Sequence, residues 1–399
     1  MTAQGRVTMG IRVAAASAAI ASFIALGAAA QGLKTQGVSA TEIVVGSHLD
    51  LSGPVAAGMP QLRNGMQMRF DEANDAGGIN GRKFRLIVED NAYAPATAVR
   101  AVQKLVERDQ VFAVFQPFGT GTGVAGYQAA AGAKVPHLFP WAVSQPFHAD
   151  KNPGSFTYVV DYVFAAEAGV GHMVDQLKST KVGILYQADA FGEMVKAGTA
   201  KALKARNLEI AAEASYRPGD IDFSAQVQRL RQAQVDLVVL ATIIRETIGA
   251  VGEIKKIGWN VPVLTHVPGR TVIVTALGKE AMEGLYGIGQ WNIHYADNAP
   301  APIQEWTAKF RAKFNTAPDE NAMVAYSLTD WFLKGVSAAG RDLTADGFAT
   351  AFRKVKHRDM FGNPEQSLDD GNHAKPETVF VEQVKAGRWT RVSGPLVAK

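Results

Sequence analysis

Short runs of apolar and β-branched residues alternate with amphipathic helical stretches from residue 42 onward. Strands are predicted at 43–47, 84–89 and 111–115, and helices at 61–74 and 96–107 lie between them. This alternation of strand and helix is typical of a parallel sheet that is covered by helices. The first part of the chain is therefore predicted to be a doubly wound α/β unit.

A Pro- and Gly-rich stretch at 146–155 interrupts this alternation, and a second series of strands and helices follows. Its predicted strands are 181–186, 209–215, 237–241 and 261–264. Helices at 303–314 and 321–339 are expected to pack back onto the first unit, and strands at 377–384 and 388–392 are expected to form a hairpin. The sequence thus predicts a second doubly wound unit.

We expect two lobes, because 399 residues exceed the roughly 250–300 at which a single core stops growing. Lobe 1 is predicted to comprise 41–156 plus 292–357, and lobe 2 to comprise 157–291 plus 358–399. Several chain crossings between the lobes imply a hinge. In open α/β sheets ligands bind beyond the carboxyl ends of the strands, so the site is expected between the lobes.

The first 30 residues have the layout of a cleavable secretory signal. Arg6 and Arg12 precede an Ala-rich apolar run at 13–26, and cleavage is expected after Ala30. This implies a periplasmic protein. A membrane anchor is the alternative, but it needs roughly 18–20 apolar residues. A start codon placed too early is the other alternative.

Composition excludes several classes of protein. Without cysteine, the chain is neither anchored through a lipidated cysteine nor stapled by disulfides. Its formal charge of +4 is scattered along the sequence, which argues against a nucleic-acid partner. The eight histidines form no zinc-binding pair at helical spacing, and neither a nucleophile elbow nor a phosphate-binding loop occurs. We therefore expect no metal, no cofactor and no enzyme; a cofactor-free acid/base enzyme would have to use Asp161, Glu167 or Asp189.

A series of short motifs carries a resemblance to a known family. In chain order they are IVVG at 43–46, LSGP at 51–54, GGINGR at 77–82, ED at 89–90, QADAFG at 187–192, DFS at 222–224 and KIGW at 256–259. In order and spacing the chain resembles the Leu/Ile/Val-binding proteins of ABC importers. The resemblance implies the type I periplasmic binding fold, a monomer whose lobes close on a small ligand, and an ABC permease as partner.

A glycine-rich stretch follows the third predicted strand, where the family holds the ligand carboxylate. Phe118, Gly119, Thr120 and Thr122 are the candidates, since a glycine turn with hydroxyls at a helix N-terminus suits an anion. The alternative for Thr122 is a helix N-cap. The stretch also spells a dinucleotide-binding pattern, which we reject because it follows the third strand instead of the first.

The loop after the next strand is expected to contact the same carboxylate through the Ala142 backbone and Ser144. Trp141 in this loop either stacks on the ligand or belongs to the core. From the second lobe, Phe191 falls where the family places an aromatic cover for the ligand, with a core role as the alternative. Tyr162 is expected to add another wall.

One departure from the family affects the identity of the ligand. Val267 aligns where amino acid binders carry the glutamate that pairs with the α-ammonium, and Ile244 replaces an aligned tyrosine. A slip of one residue would bring Glu246 near the missing charge. Arg245 or Arg270 either meets a second carboxylate or is a solvated surface arginine.

These candidates favour an aromatic or other organic acid as the ligand, because a buried α-ammonium without a partner is unfavourable. A branched-chain amino acid or an amide is the alternative ligand. A receptor module that reports its ligand to a sensor is the alternative function.

Overall fold

The computed structural model describes residues 35–142, 154–368 and 371–397. The predicted signal sequence and Ser144 lie outside these residues. None of the helices within them is both long enough and apolar enough to cross a membrane. The fold is the expected α/β architecture with two sheets flanked by helices, the first fully parallel and the second parallel except for its last two strands.

The first sheet contains five parallel strands. They are β1 (Glu42–Leu49), β2 (Lys83–Asp90), β3 (Ala113–Phe115), β4 (His137–Leu138) and β5 (Ser155–Phe156). The helices of this lobe include α1 (Met59–Asp75), α2 (Pro95–Gln103) and α3 (Thr120–Ala130). The strand order is β2-β1-β3-β4-β5, so the order reverses at β1.

The second sheet contains seven strands. They are β6 (Val182–Gln187), β7 (Ile210–Tyr216), β8 (Leu237–Ala241), β9 (Val263–Thr265), β10 (Tyr286–Gly289), β11 (Phe380–Lys385) and β12 (Arg388–Arg391). The helices around it are α4 (Tyr162–Leu177), α5 (Ala190–Lys204), α6 (Ser224–Gln232), α7 (Ile244–Lys256) and α8 (Val272–Gly278). The order is β7-β6-β8-β9-β10-β11-β12, with β11 and β12 forming the expected antiparallel hairpin.

Three further helices return to the first sheet, as the sequence predicts for two of them. They are α9 (Ala301–Phe314), α10 (Glu320–Ala339) and α11 (Ala345–Phe352). The Phe332 ring of α10 lies 5.0 Å from that of Phe115 in β3 and 6.2 Å from that of Phe70 in α1. Helix α10 therefore covers one face of the first sheet.

The chain passes between the sheets along 157–161, 290–300 and 353–379, and side chains bind these crossings together. The Gln290 amide accepts a hydrogen bond from the Val160 N–H and donates one to the Tyr158 carbonyl, both at 2.8 Å. The Asp161 N–H donates to Glu377 at 2.8 Å. These bonds unite the crossings into one hinge.

Several elements differ from the sequence-based expectation. The sequence predicts a helix near 124–131, but α3 already begins at Thr120, so the glycine-rich stretch forms its first turn. Helix α4 was not expected; the Asp161 carboxylate caps it by accepting the N–H of Val163 at 2.8 Å. The sequence pattern predicts a crossing over 286–302, whereas Tyr286–Gly289 form strand β10 of the second sheet. Arg270 and Trp389 occupy the space beside Gly287, which leaves no room there for a side chain.

Candidate ligand-binding site

A cavity lies between the two lobes, and the empty space in and around it, open solvent included, is about 510 Å³. Its walls are formed by Val55, Met59, Phe118, Trp141, Val159, Tyr162, Ile243, Ile244, Val267, Pro268, Thr271, Trp291 and Asn321. Both lobes contribute, and so do the first two crossings, through Val159 and Trp291. The cavity therefore lies at the place between the lobes where the sequence predicts a ligand site.

The position of the cavity follows from the strand order. Residues on the loops after β1, β3 and β4 face residues on the loops after β8 and β9. All of these loops leave the carboxyl ends of parallel strands. Both sheets also reverse their strand order close to this edge, at β1 and at β6, and such switch points form the binding crevices of open α/β sheets.

The lobes contact each other around the cavity. The Gln187 amide at the end of β6 donates to the Tyr93 hydroxyl of the first lobe at 3.3 Å. On another side, the Val272 N–H at the start of α8 donates to the Glu320 carboxylate at the start of α10, at 3.1 Å. Direct hydrogen bonds thus join the two lobes near the cavity.

In the first lobe, two of the expected residues form the wall and others do not. Phe118 and Trp141 line the cavity. The Thr122 hydroxyl donates to the Phe118 carbonyl at 2.5 Å, four residues earlier, so it is bonded inside lobe 1 without acting as the N-cap that was its alternative role. Thr120 and Ala142 are buried away from the wall, and Gly119 is also absent from it.

In the second lobe, Tyr162, Ile244 and Val267 line the cavity. Phe191 lies behind Tyr162, with the ring centroids 5.4 Å apart, and so supports the wall instead of forming it. His266 packs edge to face against the same tyrosine at 4.9 Å and lies 6.1 Å from Phe191, and burial lowers the pKa of this histidine to about 3. Neutral rings therefore support the tyrosine.

The charged candidates lie off the wall. Arg245 is about half exposed and contacts the Glu246 carboxylate at 3.2 Å. Glu246 is fully buried, and burial raises the pKa of its carboxyl group. Arg270 is neither solvated nor on the wall, since it is buried and pairs with Glu382 inside lobe 2.

The acids considered for an enzyme have structural positions. Asp161 and Asp189 cap helices α4 and α5 by accepting backbone N–H groups. Glu167 lies on α4 beside a different surface depression. No cluster that could hold a metal occurs in the part of the chain that the structure describes.

The wall is apolar with a few neutral polar groups. Among the described residues it carries no Asp, Glu, Lys, Arg or His side chain, and its side chains with a polar group are those of Trp141, Tyr162, Thr271, Trp291 and Asn321. Burial raises the pKa of the Tyr162 hydroxyl above its ordinary value, so this group stays protonated and can donate. The walls can therefore hold an apolar body and donate hydrogen bonds to an acceptor.

Eight wall residues were not predicted from the sequence, among them Met59, Trp291 and Asn321. Met59 and Asn321 stand at the beginnings of long helices, and Trp291 stands in a crossing that was treated as a connection. No motif marks any of them. A tryptophan directly after an apolar strand was the one available signal.

Comparisons with known proteins agree with this architecture. The sequence model of the periplasmic binding protein family matches residues 42–388. The Leu/Ile/Val-binding protein BraC3 of Rhizobium johnstonii is 25% identical over 319 residues, which are 79% of this chain and 84% of that protein.

Two solved structures share the fold. The fatty acid ABC transporter substrate-binding protein of Thermomonospora curvata superposes with a TM-score of 0.80 at 21% identity, covering 90% of this chain and 94% of that one. An ABC transporter solute-binding protein of R. palustris in complex with benzoate superposes with a TM-score of 0.77 at 17% identity, covering 90% and 98%. This protein belongs to the periplasmic binding protein family of the Leu/Ile/Val-binding type, whose members bind solutes for ABC transporters between the two lobes of a type I fold.

Proposed function

We propose that this protein captures a small, largely apolar carboxylate, such as an aromatic or short aliphatic acid, and delivers it to an ABC permease. The observation that carries the proposal is the chemistry of the cavity wall. Apolar side chains dominate it, and the described wall residues supply neutral hydrogen-bond donors but no acid. Such a wall suits an apolar body with one acceptor group.

An amino acid fits this wall less well. Val267, where amino acid binders carry an acid, lines the cavity and is 4% exposed. Glu246 lies off the wall and contacts Arg245. An ammonium group enclosed beside Val267 would lose its water without gaining a partner, which costs about 1–3 kcal/mol or more. The corresponding acid without the amino group avoids this cost.

The related structures support both sides of this comparison. The Thermomonospora curvata protein is described as a fatty acid transporter component, and the R. palustris protein holds benzoate. The relative from Rhizobium johnstonii is described as a Leu/Ile/Val-binding protein. The fold therefore accommodates either ligand class, and the cavity wall favours acids in this chain.

The proposed mechanism is closure about the hinge. In an open form the ligand meets the wall of lobe 1, including Phe118 and Trp141; closure then adds Tyr162, Ile244 and Val267 from lobe 2. Ligand binding selects the closed form because both walls contact the ligand there. The closed form docks on the permease, and secretion through the N-terminal segment places the protein in the periplasm.

Two matched ligand pairs test the proposal. The full chain is expressed, recovered from the periplasm, freed of co-purified ligand by unfolding and refolded. Its melting temperature is then measured with hexanoate, norleucine, phenylacetate and phenylglycine. Each pair differs by one α-amino group, and a ligand that binds the native state raises the melting temperature by mass action.

We expect the two acids without an amino group to raise the melting temperature more than their amino counterparts. Tighter binding of norleucine and phenylglycine would contradict the proposal and favour the amino acid alternative. Binding of none of the four would exclude a small carboxylate of this size as the ligand.

A further inference from the structure

Two tryptophans from different parts of the chain meet at the cavity wall. Trp141 follows β4, and Trp291 follows β10 in the second crossing. Their ring centroids are 5.7 Å apart, and the rings are inclined at 71°, so they pack edge to face. Both indoles are therefore held at defined positions on the wall.

The two indole N–H groups differ in their partners. Trp141 donates its Nε1–H to the Gln116 side-chain oxygen at 3.1 Å. Gln116 is itself fixed by donating to the Ala325 carbonyl at 3.0 Å. Trp291 is 5% exposed, and its buried Nε1 has no hydrogen-bond acceptor within the described residues. The Trp141 N–H group thus has an acceptor inside lobe 1, whereas the Trp291 N–H group has none among the described residues.

A buried N–H group without an acceptor has lost its water without gaining a hydrogen bond, which is unfavourable. Such groups are rare in native structures. Trp306 shares this feature, but it lies away from the cavity among the rings of Phe310, Tyr326 and Phe361, 5.0–5.3 Å away. Aromatic faces are weak acceptors for an N–H group. Trp291 also has such a ring neighbour, Trp141 at 5.7 Å, and differs from Trp306 in that it lies on the wall of the cavity.

We propose that the Nε1–H of Trp291 donates a hydrogen bond to a carboxylate oxygen of the bound ligand. The inference rests on the proposed function and extends it by giving the acid group a position. The carboxylate then lies beside the second crossing, and the apolar side chains of the wall remain to contact the body of the ligand. The Thr122 hydroxyl, which the sequence suggested for this purpose, is already bonded to the Phe118 carbonyl.

Indole N–H resonances test the hydrogen bond directly. The refolded protein is labelled with ¹⁵N-tryptophan, and its spectrum is recorded without ligand and with saturating amounts of the tightest-binding of the four probes above. The Trp291 signal is assigned by its loss in Trp291→Phe. We expect this signal to move downfield, as it does when an N–H gains an anionic acceptor, while the Trp306 signal stays in place.

Affinity gives the second readout. A hydrogen bond to a charged acceptor is worth about 10- to 100-fold in dissociation constant, so Trp291→Phe is expected to weaken binding by that factor in calorimetry. Trp306→Phe removes the same atoms from an indole that is equally buried but lies off the wall, and it should bind like the wild type. An unmoved Trp291 signal overturns the inference even if affinity falls, since lost packing alone would explain the loss.

The four probes separate this inference from the proposed function. All of them carry a carboxylate, so the Trp291 measurement proceeds with whichever binds. If the amino acids bind tightest and the signal still moves, the proposed ligand class is wrong and the role of Trp291 stands. If the two acids without an amino group bind tightest and the signal does not move, the proposed ligand class stands and the role of Trp291 is wrong. Binding of none overturns both.

Discussion

Glu320 is a buried carboxylate that links the lobes, and replacing it with glutamine is expected to stabilise the protein at alkaline pH. It is 1% exposed, and one of its oxygens accepts the Val272 N–H at 3.1 Å. The other oxygen is buried without a donor among the described residues. Burial, followed by the charge of the adjacent Asp319, raises the pKa of Glu320, and Arg270 offsets this only in part.

The magnitude follows from the unmade bond and the buried charge. A buried charged oxygen without a donor costs about 1–3 kcal/mol. Glutamine keeps the acceptor for the Val272 N–H and removes the charge beside Asp319. We therefore expect Glu320→Gln to raise the free energy of unfolding by about 1–2 kcal/mol at pH 8.

The sign of the pH dependence is fixed by the raised pKa. Because the folded protein holds the proton more tightly than the unfolded chain, the contribution of Glu320 to stability is full below the ordinary carboxyl pKa. This contribution is lost as the pH rises through the pKa that Glu320 has in the folded protein. The difference between variant and wild type should therefore be largest at pH 8 and shrink towards pH 5.

Urea unfolding at pH 5 and pH 8, monitored by circular dichroism, measures the difference in free energy of unfolding between variant and wild type. The dependence of this free energy on urea concentration should be the same for both proteins. Glu305→Gln, at an exposed position of α9, is the matched control and should behave like the wild type at both values. The reasoning would be refuted if Glu320→Gln were less stable than the wild type at pH 8. It would also be refuted if the difference in free energy of unfolding were the same at both pH values.

Two further changes test the cavity wall. Gln116→Met leaves the Trp141 Nε1–H without its acceptor, so we expect the free energy of unfolding in urea to fall by about 1–3 kcal/mol; an unchanged value would mean that this bond contributes nothing. Val267→Glu places a carboxylate on the apolar wall, and we expect it to weaken binding of phenylacetate at least about tenfold at pH 7 and less at pH 5, where the new acid is partly protonated. Equal affinities in calorimetry would place the ligand away from Val267.

Much of the fold could be predicted from hydrophobic patterning. Strand β8 begins and ends where the sequence predicts, because all five of its residues are buried between helices and read as one apolar run. Helix α4 could not be predicted in the same way. Its glycines lower its helix propensity, and the space beside Gly169 is filled by Ile288 from β10, a contact between distant parts of the chain.

The candidate site was predictable where it follows strands directly. Phe118, Trp141 and Val267 were found because ligand loops leave the carboxyl ends of strands, and the resemblance to a known family supplied their order. Trp291 and Asn321 reach the same cavity from a crossing and from a helix start. Their position depends on how the lobes close on each other, and local pattern carries no information on that.

The polar candidates show a second limit, which concerns chemistry more than position. A threonine hydroxyl after a glycine can bind an anion or cap its own helix, and an indole N–H can donate to a ligand or to a neighbouring side chain. Thr122 and Trp141 are satisfied within lobe 1, whereas Trp291 is not. A buried polar group in this protein is a candidate for ligand binding when folding leaves it without a hydrogen-bond partner. Whether it finds a partner depends on residues far away in the sequence.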